Sequence, residues 1–346
     1  MSDSLLREEI FSQPEALRRL FQTQAATVEA IAQDLRGQFD YVLIAARGTS
    51  DNAARYAQYL LGIHNQIQVA LATPSVFTLY GQAPSLKGAL VVGISQSGQS
   101  PDVGAVLAEA TRQGQPTLAI TNDSQSPLAQ AVDHVITLGV GPEKAIAATK
   151  TYTSSIGAVA MLSAALSNDS QQLQTLERVP GLMSDVMQNE DLIRGRVERY
   201  RYADRCAVVG RGYNYATAFE IALKVKELTG IVAEPYSSAD FRHGPIRMVT
   251  GGFPLLLIAP SGQVLEDVRT LLEEIRQLEG DLIVISDQGD LLQSAELGLG
   301  LPQDVPEWIS PLLTVIPGQL LALYLAKARG LDPDNPRGLN KVTQTW

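Results

Sequence analysis

Short runs of consecutive apolar residues recur along the chain, at Tyr41–Ala46, Ala89–Ile94, Leu118–Ile120, Cys206–Val209, Phe253–Ile258 and Ile283–Val284. Between them lie segments whose apolar positions return with helical period, such as Asp51–Gly62 and Pro101–Gln113. A strand apolar on both faces has to be covered on both sides, and strands separated by helices pair in parallel. The pattern therefore predicts an α/β fold built on doubly wound parallel sheets. The segment before about Gly37 predicts an amphipathic leading helix with Leu17, Leu20, Phe21, Val28 and Ile31 on its apolar face. The apolar stretch Leu312–Ala326 carries Pro317, Gly318 and Gln319. It is shorter than the roughly 20 residues of a membrane span and is expected to be a buried helix.

The runs repeat at a fixed distance of 164 residues. The strand ending in Arg47-Gly48 is answered by one ending in Arg211-Gly212, Ser97-Gly98-Gln99 by Ser261-Gly262-Gln263, and Asp123 by Asp287. A single register holding at three places indicates one domain duplicated. The expected organisation is a leading helix over 1–36, a first domain over 37–166, and a connector over 167–202, partly helical and broken at Pro180-Gly181. A second domain over 203–330 and a tail over 331–346 follow.

Composition narrows the chemistry. The 346 residues suffice for two cores, and 37 acidic against 27 basic side chains give a net charge of -10. That charge repels polyanions, which argues against nucleic acid and anionic membrane as partners. The lone cysteine, Cys206, forms no intramolecular disulfide, and Met1-Ser2-Asp3-Ser4 does not begin a signal peptide, so a cytoplasmic protein is expected. Three histidines (His64, His134, His243) and one cysteine cannot build a His/Cys metal cluster. Catalysis is left to carboxylates, lysines, hydroxyls and at most one histidine. His64 and His134, at a helix end and a strand start, are expected to be structural.

Where two copies of one fold differ, function is the first suspect. After its first strand the first copy has Gly48-Thr49-Ser50, and after its next it has Ser95-Gln96-Ser97-Gly98-Gln99-Ser100. Both loops open helices at the carboxyl ends of strands, where α/β sheets bind ligands. Small residues expose backbone amides, the helix N-terminus adds positive potential, and hydroxyls donate further bonds, which together make a phosphate cradle. A single serine before a helix is ordinarily an N-cap, but two hydroxyl-dense loops in one copy favour the cradle. The second copy has Gly212-Tyr213-Asn214 and Ser261-Gly262-Gln263-Val264 instead, so one phosphate per chain is expected. Neither a dinucleotide fingerprint nor a P-loop occurs, which disfavours nicotinamide cofactors and ATP.

The second copy differs in the opposite sense. Glu220, Lys224 and Glu227 share one helix face, where the first copy has Tyr56, Leu60 and Ile63. A face built for burial carries charges there, and buried charges have to be paired. Either Glu220 pairs with Lys224 and orients it, or that pairing leaves Glu227 as a free base. His243-Gly244-Pro245 places an imidazole on a loop, and Lys341 in the polar tail is either a terminal charge or a lid residue.

Taken with Gly141-Pro142-Glu143, Ala148-Thr149-Lys150 and Pro336-Arg337-x-Leu339-x-Lys341, these motifs resemble the double sugar-isomerase (SIS) family, to which the isomerase module of glucosamine-6-phosphate synthase belongs. The resemblance runs from about Tyr41 to Thr343. It implies two flavodoxin-like SIS domains, with Gly48, Thr49, Ser50, Ser95, Gln96, Ser97 and Ser100 on the sugar phosphate and Ile146 and Ala148 at substrate-binding positions. It further implies that Glu227 moves a proton between C1 and C2, that His243 helps open the sugar ring from across a homodimer, and that Lys341 closes over the sugar. Glu220 and Lys224 match positions near the reacting carbons. No metal or organic cofactor is implied.

The synthases carry a glutaminase domain with a nucleophilic cysteine at its start, whereas here Met1 is followed by Ser2. The expected activity is therefore that of the stand-alone branch, deamination of glucosamine 6-phosphate to fructose 6-phosphate and ammonia. Ser237–Arg242, before the histidine, departs from the synthases and leaves the amine substrate open. The alternatives are another phosphosugar isomerase, a fructosamine 6-phosphate deglycase, a synthase using free ammonia, or a non-catalytic sugar-phosphate sensor.

Overall fold

The computed structural model describes residues 4–341. The leading segment is two helices, α1 (Leu5–Phe11) and α2 (Gln13–Leu35). The first sheet follows as β1 (Tyr41–Ala45), α3 (Thr49–His64), β2 (Gln68–Leu71), α4 (Pro74–Thr78), β3 (Ala89–Ile94), α5 (Pro101–Arg112), β4 (Thr117–Thr121), α6 (Pro127–Gln130) and β5 (His134–Thr137). Three helices come next, α7 (Lys150–Ser167), α8 (Ser170–Val186) and α9 (Glu190–Arg196). The second sheet comprises β6 (Arg205–Gly210), α10 (Asn214–Thr229), β7 (Val232–Ser237), α11 (Ser238–Arg242), β8 (Pro254–Ala259), α12 (Leu265–Gln277), β9 (Asp281–Ser286), α13 (Gly289–Gln293) and β10 (Leu297–Gly300). The long helix α14 (Ser310–Ala328) closes the series.

Every strand pairs in parallel, in the orders β2-β1-β3-β4-β5 and β10-β9-β8-β6-β7. Read from the other edge, the second order is the first again. The central strands β3, β4 and β9 are buried at every position, as strands covered on both faces have to be. Pro235 is tolerated because β7 is an edge strand and the missing amide breaks no central ladder.

The chain divides into two compact units. The N-terminal unit holds residues 13–144, 150–178 and 340–341, and the C-terminal unit holds 4–12, 145–149 and 179–339. In the N-terminal unit, α7 is buried along nearly its whole length and packs on α2 and α3. At Gly157 the backbones come so close that a Cβ would stand 2.5 Å from Leu17 Cδ1. In the C-terminal unit, α10 and α14 pack at a similar approach, with a Cβ at Gly318 falling 2.3 Å from Ile221.

The structure departs from three expectations. The leading helix is broken at Ser12, whose amide and hydroxyl both turn back onto α1 carbonyls, so that α1 and α2 belong to different units. Pro180 breaks nothing, because α8 runs through it. A proline costs an interior helix one donor, and here the packing of Leu176, Val179 and Met183, all buried, outweighs that loss. The apolar stretch around Leu312 is the buried helix expected, but it belongs to a longer run, Glu307–Ala328, of 22 residues, long and apolar enough to cross a bilayer, that is buried from Trp308 to Ala326 and exposed at Lys327. Of the segments expected at the termini, residues 1–3 and 342–346 lie outside the described residues.

One ion pair fastens the first helix of the C-terminal unit. Arg7 donates to Glu190 through Nε (2.6 Å) and Nη2 (2.8 Å), Tyr324 donates its hydroxyl to the same carboxylate, and the Asp334 carboxylate caps α1 through the amides of Leu5 and Leu6. The Arg7 hydrogen bonds hold the Glu190 carboxyl below its ordinary 4.5. A depressed carboxylate stabilises the fold above its unfolded pKa and loses that contribution as pH falls through the folded one. Glu190→Gln is therefore expected to melt below the wild type at pH 7, with the difference shrinking as the pH drops below about 4.5. Melting curves of both proteins across that range check this.

Candidate functional site

In the N-terminal unit, β1 ends at Ala45 and the chain turns through Gly48, at φ +54°, into α3. Only glycine adopts that conformation without strain. Thr49 and Ser50 fall in the first helical turn and are half-buried. The second loop follows β3: Ser95 Oγ lies 3.2 Å from Ser100 Oγ and accepts the Gly98 amide at 3.2 Å, while Ser97 Oγ accepts the Gln99 amide at 3.3 Å. Ser100 stands at the N-cap of α5, yet its side chain makes no capping bond, so its hydroxyl is not consumed by the helix. Gly98 is obligatory here, since a Cβ would fall 2.1 Å from Ser126 Oγ. Gln96 is half-buried, and its carbonyl accepts the Asn122 amide at 3.1 Å.

Arg47 braces the two loops. Its Nε donates to Asp102 Oδ2 at 2.6 Å, and Asp102, in the first turn of α5, is fully buried. Sequence reasoning passed over this pair, although an arginine before the first glycine and an acid after Ser100-Pro101 were its signal. His64 and His134 have structural partners, Gln172 (2.7 Å) and Asp34 (3.1 Å), and burial lowers the His64 pKa.

Lys341 also belongs to this unit. Its Nζ donates to Glu143 Oε2 at 2.9 Å, and the same buried carboxylate accepts the amide (3.1 Å) and hydroxyl (2.7 Å) of Thr151 at the start of α7. The tail lysine is thus seated on a fixed anion in the Gly141-Pro142-Glu143 motif. Ile146 and Ala148 are half-buried in the segment 145–149, which packs with the C-terminal unit.

The C-terminal unit contains the charged face of α10. Glu220 and Lys224 are buried, and the Glu227 side chain is 24% exposed. Lys224 Nζ stands 3.4 Å from Glu220 Oε1 and 2.6 Å from Glu227 Oε2. The lysine thus lies between both carboxylates, and closer to Glu227 than pairing with Glu220 alone would place it. The Glu227 contact is the shorter of the two ion pairs, and Oε2, the oxygen that makes it, is buried. Glu227 lines a cavity of about 540 Å³ together with Asn335, Pro336, Arg337 and Leu339 of the tail. Arg337 is a cavity residue that the tail motif contains without assigning it a role, and Asn335 beside it joins the lining.

His243 sits exposed at the end of α11, before Gly244 at φ +137°, and is not among the residues lining that cavity. Among the described residues no three His, Cys, Asp or Glu side chains converge as a metal site.

The SIS domain family matches residues 39–165 and 200–328, and the chain belongs to it. It is 34% identical over 338 residues to the glutamine–fructose-6-phosphate aminotransferase [isomerizing] of Aquifex aeolicus, covering 97% of this chain and 57% of that protein. The chain thus spans little more than half of the curated relatives it matches. Among solved structures, a candidate phosphosugar isomerase from Silicibacter pomeroyi superposes with a TM-score of 0.86 at 31% identity, over 96% of this chain and all of that one. The C-terminal domain of the glucosamine-fructose-6-phosphate aminotransferase of Francisella tularensis gives 0.88 at 26% identity, over 96% of this chain and 98% of that one.

Buried Glu220 and buried Lys224 each offset the other's charge. Lys224→Met is expected to cost about 3–5 kcal/mol, because it removes the ammonium that faces buried Glu220. Adding Glu220→Leu, which removes that charge as well, is expected to restore most of the loss. Denaturant unfolding of the single and double variants measures both.

Proposed function

We propose that this SIS-domain chain interconverts an amino-sugar 6-phosphate and a keto-sugar phosphate, acting on glucosamine 6-phosphate to give fructose 6-phosphate and ammonia. The reading is carried by Glu227, a partly exposed carboxylate held beside a buried ammonium on a rigid helix and lining a cavity large enough for a sugar. The hydroxyl and amide loops around Gly48 and Ser95–Ser100 support recognition of the phosphate. Likeness to aminotransferases whose names include the isomerising step supports the sugar chemistry.

In the proposed reaction the ring opens with assistance from His243, supplied by a second subunit of a homodimer. Glu227 takes the proton from C2 of the open-chain aldose, the C2–H electrons form a C1–C2 double bond, and the C1 carbonyl pair moves to O1, which takes a proton from a general acid or water, giving an enolamine with a hydroxyl at C1. The proton returns at C1, the amine becomes an imine at C2, and water hydrolyses it to the ketone and ammonia. Lys224 places an ammonium beside Glu227, and Glu220 supplies the second carboxylate that a buried ammonium needs. Phosphate binding contributes by fixing C1 and C2 against the base. Lys341, seated on Glu143, is the residue expected to close over the sugar, with Ile146 and Ala148 contributing contacts from the preceding loop.

A coupled assay with glucosamine 6-phosphate, following fructose 6-phosphate and ammonia, tests the reading. Wild-type protein is expected to turn over and Glu227→Gln to lose about 10²–10⁴-fold in kcat with little change in KM. Near wild-type turnover by Glu227→Gln would remove it as the base. Turnover only of fructosamine 6-phosphate or of an unaminated phosphosugar would reassign the substrate. Thermal stabilisation by phosphosugars without any turnover would make the chain a sensor.

A further inference from the structure

Two short stretches, residues 4–12 and 145–149, belong to the C-terminal unit although the chain that follows each of them belongs to the other. They are joined directly. The Ala145 amide donates to Glu9 Oε2 at 3.2 Å, and both residues are buried. A buried carboxylate is costly unless it is hydrogen-bonded. Glu9 is not there to cap its own helix, since Ser4 and Asp334 already take the first amides of α1.

The segment it holds has an alternating character. Ala145, Ala147 and Thr149 are buried, and Ile146 and Ala148 between them are half-buried. In an extended stretch of this kind a slip of one residue exchanges the inner and outer side chains. Fixing the Ala145 amide therefore fixes which side chains the segment presents.

α1 is held in turn from several sides. A helix of seven residues is not stable alone. Here Leu6 and Ile10 are fully buried, Arg7 donates to Glu190, and Asp334 accepts the Leu5 and Leu6 amides at 2.9 and 2.8 Å. The residues just after Asp334 (Asn335, Pro336, Arg337 and Leu339) line the cavity that Glu227 lines. One short helix thus stands between the segment bearing Ile146 and the tail that walls the cavity, with a carboxylate contact on each side.

We propose that Glu9 is a positioning residue: through the Ala145 amide it sets the segment carrying Ile146 and Ala148, and through α1 it ties that segment to the tail at Asp334. The role rests on the reading above that Ile146 and Ala148 contact the sugar, because Glu9 acts on substrate only through them. Contacts of that kind bind ground state and transition state alike, so their loss is read in KM.

Hydrogen–deuterium exchange of the full chain, followed on peptides covering 145–149, tests the hold without turnover. Glu9→Ala is expected to speed exchange there by about tenfold, through loss of a hydrogen bond to a carboxylate, while β9 exchanges as in the wild type. Asp334→Ala is expected to speed exchange in α1 and at 145–149 together. With glucosamine 6-phosphate, Glu9→Ala is expected to raise KM about tenfold at nearly unchanged kcat, and Glu9→Gln, which keeps an oxygen for the amide, to restore most of it. Wild-type exchange at 145–149 in Glu9→Ala overturns the proposal, as do faster exchange with an unchanged KM and an acceleration that β9 shares equally. Should Glu9→Ala fail to fold, Glu9→Asp carries the same test, since it keeps the charge and withdraws the oxygen by one methylene. A wild-type protein that turns over no phosphosugar contradicts the reaction proposed above, and the hold of Glu9 on the segment then stands or falls on exchange alone.

Discussion

Lys224 sits between Glu220 and Glu227 on one face of α10, and much of the C-terminal unit is arranged to make that tolerable. An ammonium almost entirely removed from water would ordinarily lose its proton. Two carboxylates at 3.4 and 2.6 Å offset the desolvation, and only helical spacing at i–4 and i+3 puts both within reach of one side chain. The helix cannot rotate away, because Gly318 lets α14 close against Ile221 on the same helix. Rigidity and charge are thus one arrangement, and Glu227 keeps an edge toward the cavity while its partner stays buried.

Duplication explains why such an arrangement could be installed. The corresponding face in the first copy has Tyr56 and Leu60 fully buried and Ile63 exposed, the same gradient from core to surface that Glu220, Lys224 and Glu227 follow. The fold was already paid for by the apolar sheets, so one face of one helix could be given to charge in one copy. The hydroxyl-rich loops of the other copy are the converse; at their counterparts in the second, Asn214 donates to Ser310 and the Gln263 amide donates to Glu307.

What could be read in the sequence follows from the range of the forces involved. Strands buried on both faces leave continuous apolar runs, and duplication leaves a register, so the parallel sheets and their repetition were legible from Tyr41, Ala89, Cys206 and Phe253 onward. The face shared by Glu220, Lys224 and Glu227 was legible too, because helical spacing is local. Pairings made by the fold were not. Nothing near Glu143 announces Lys341, 198 residues away, and nothing near Gln263 announces Glu307. Pro180 misled for a related reason: a local rule predicts a break, and burial of its neighbours decides otherwise.

The central claim is that a carboxylate on α10 carries a proton between two adjacent carbons of a phosphosugar. Glucosamine 6-phosphate deuterated at C2, incubated with the protein in ordinary water and followed by NMR of the fructose 6-phosphate formed, tests this most directly. With Glu227 as the proton carrier, C1 of the product is expected to hold deuterium in part and solvent proton in part in wild-type protein, while Glu227→Gln forms little product of either kind. Fructose 6-phosphate formed by Glu227→Gln at the wild-type rate, with the same division of deuterium and solvent proton at C1, would contradict it.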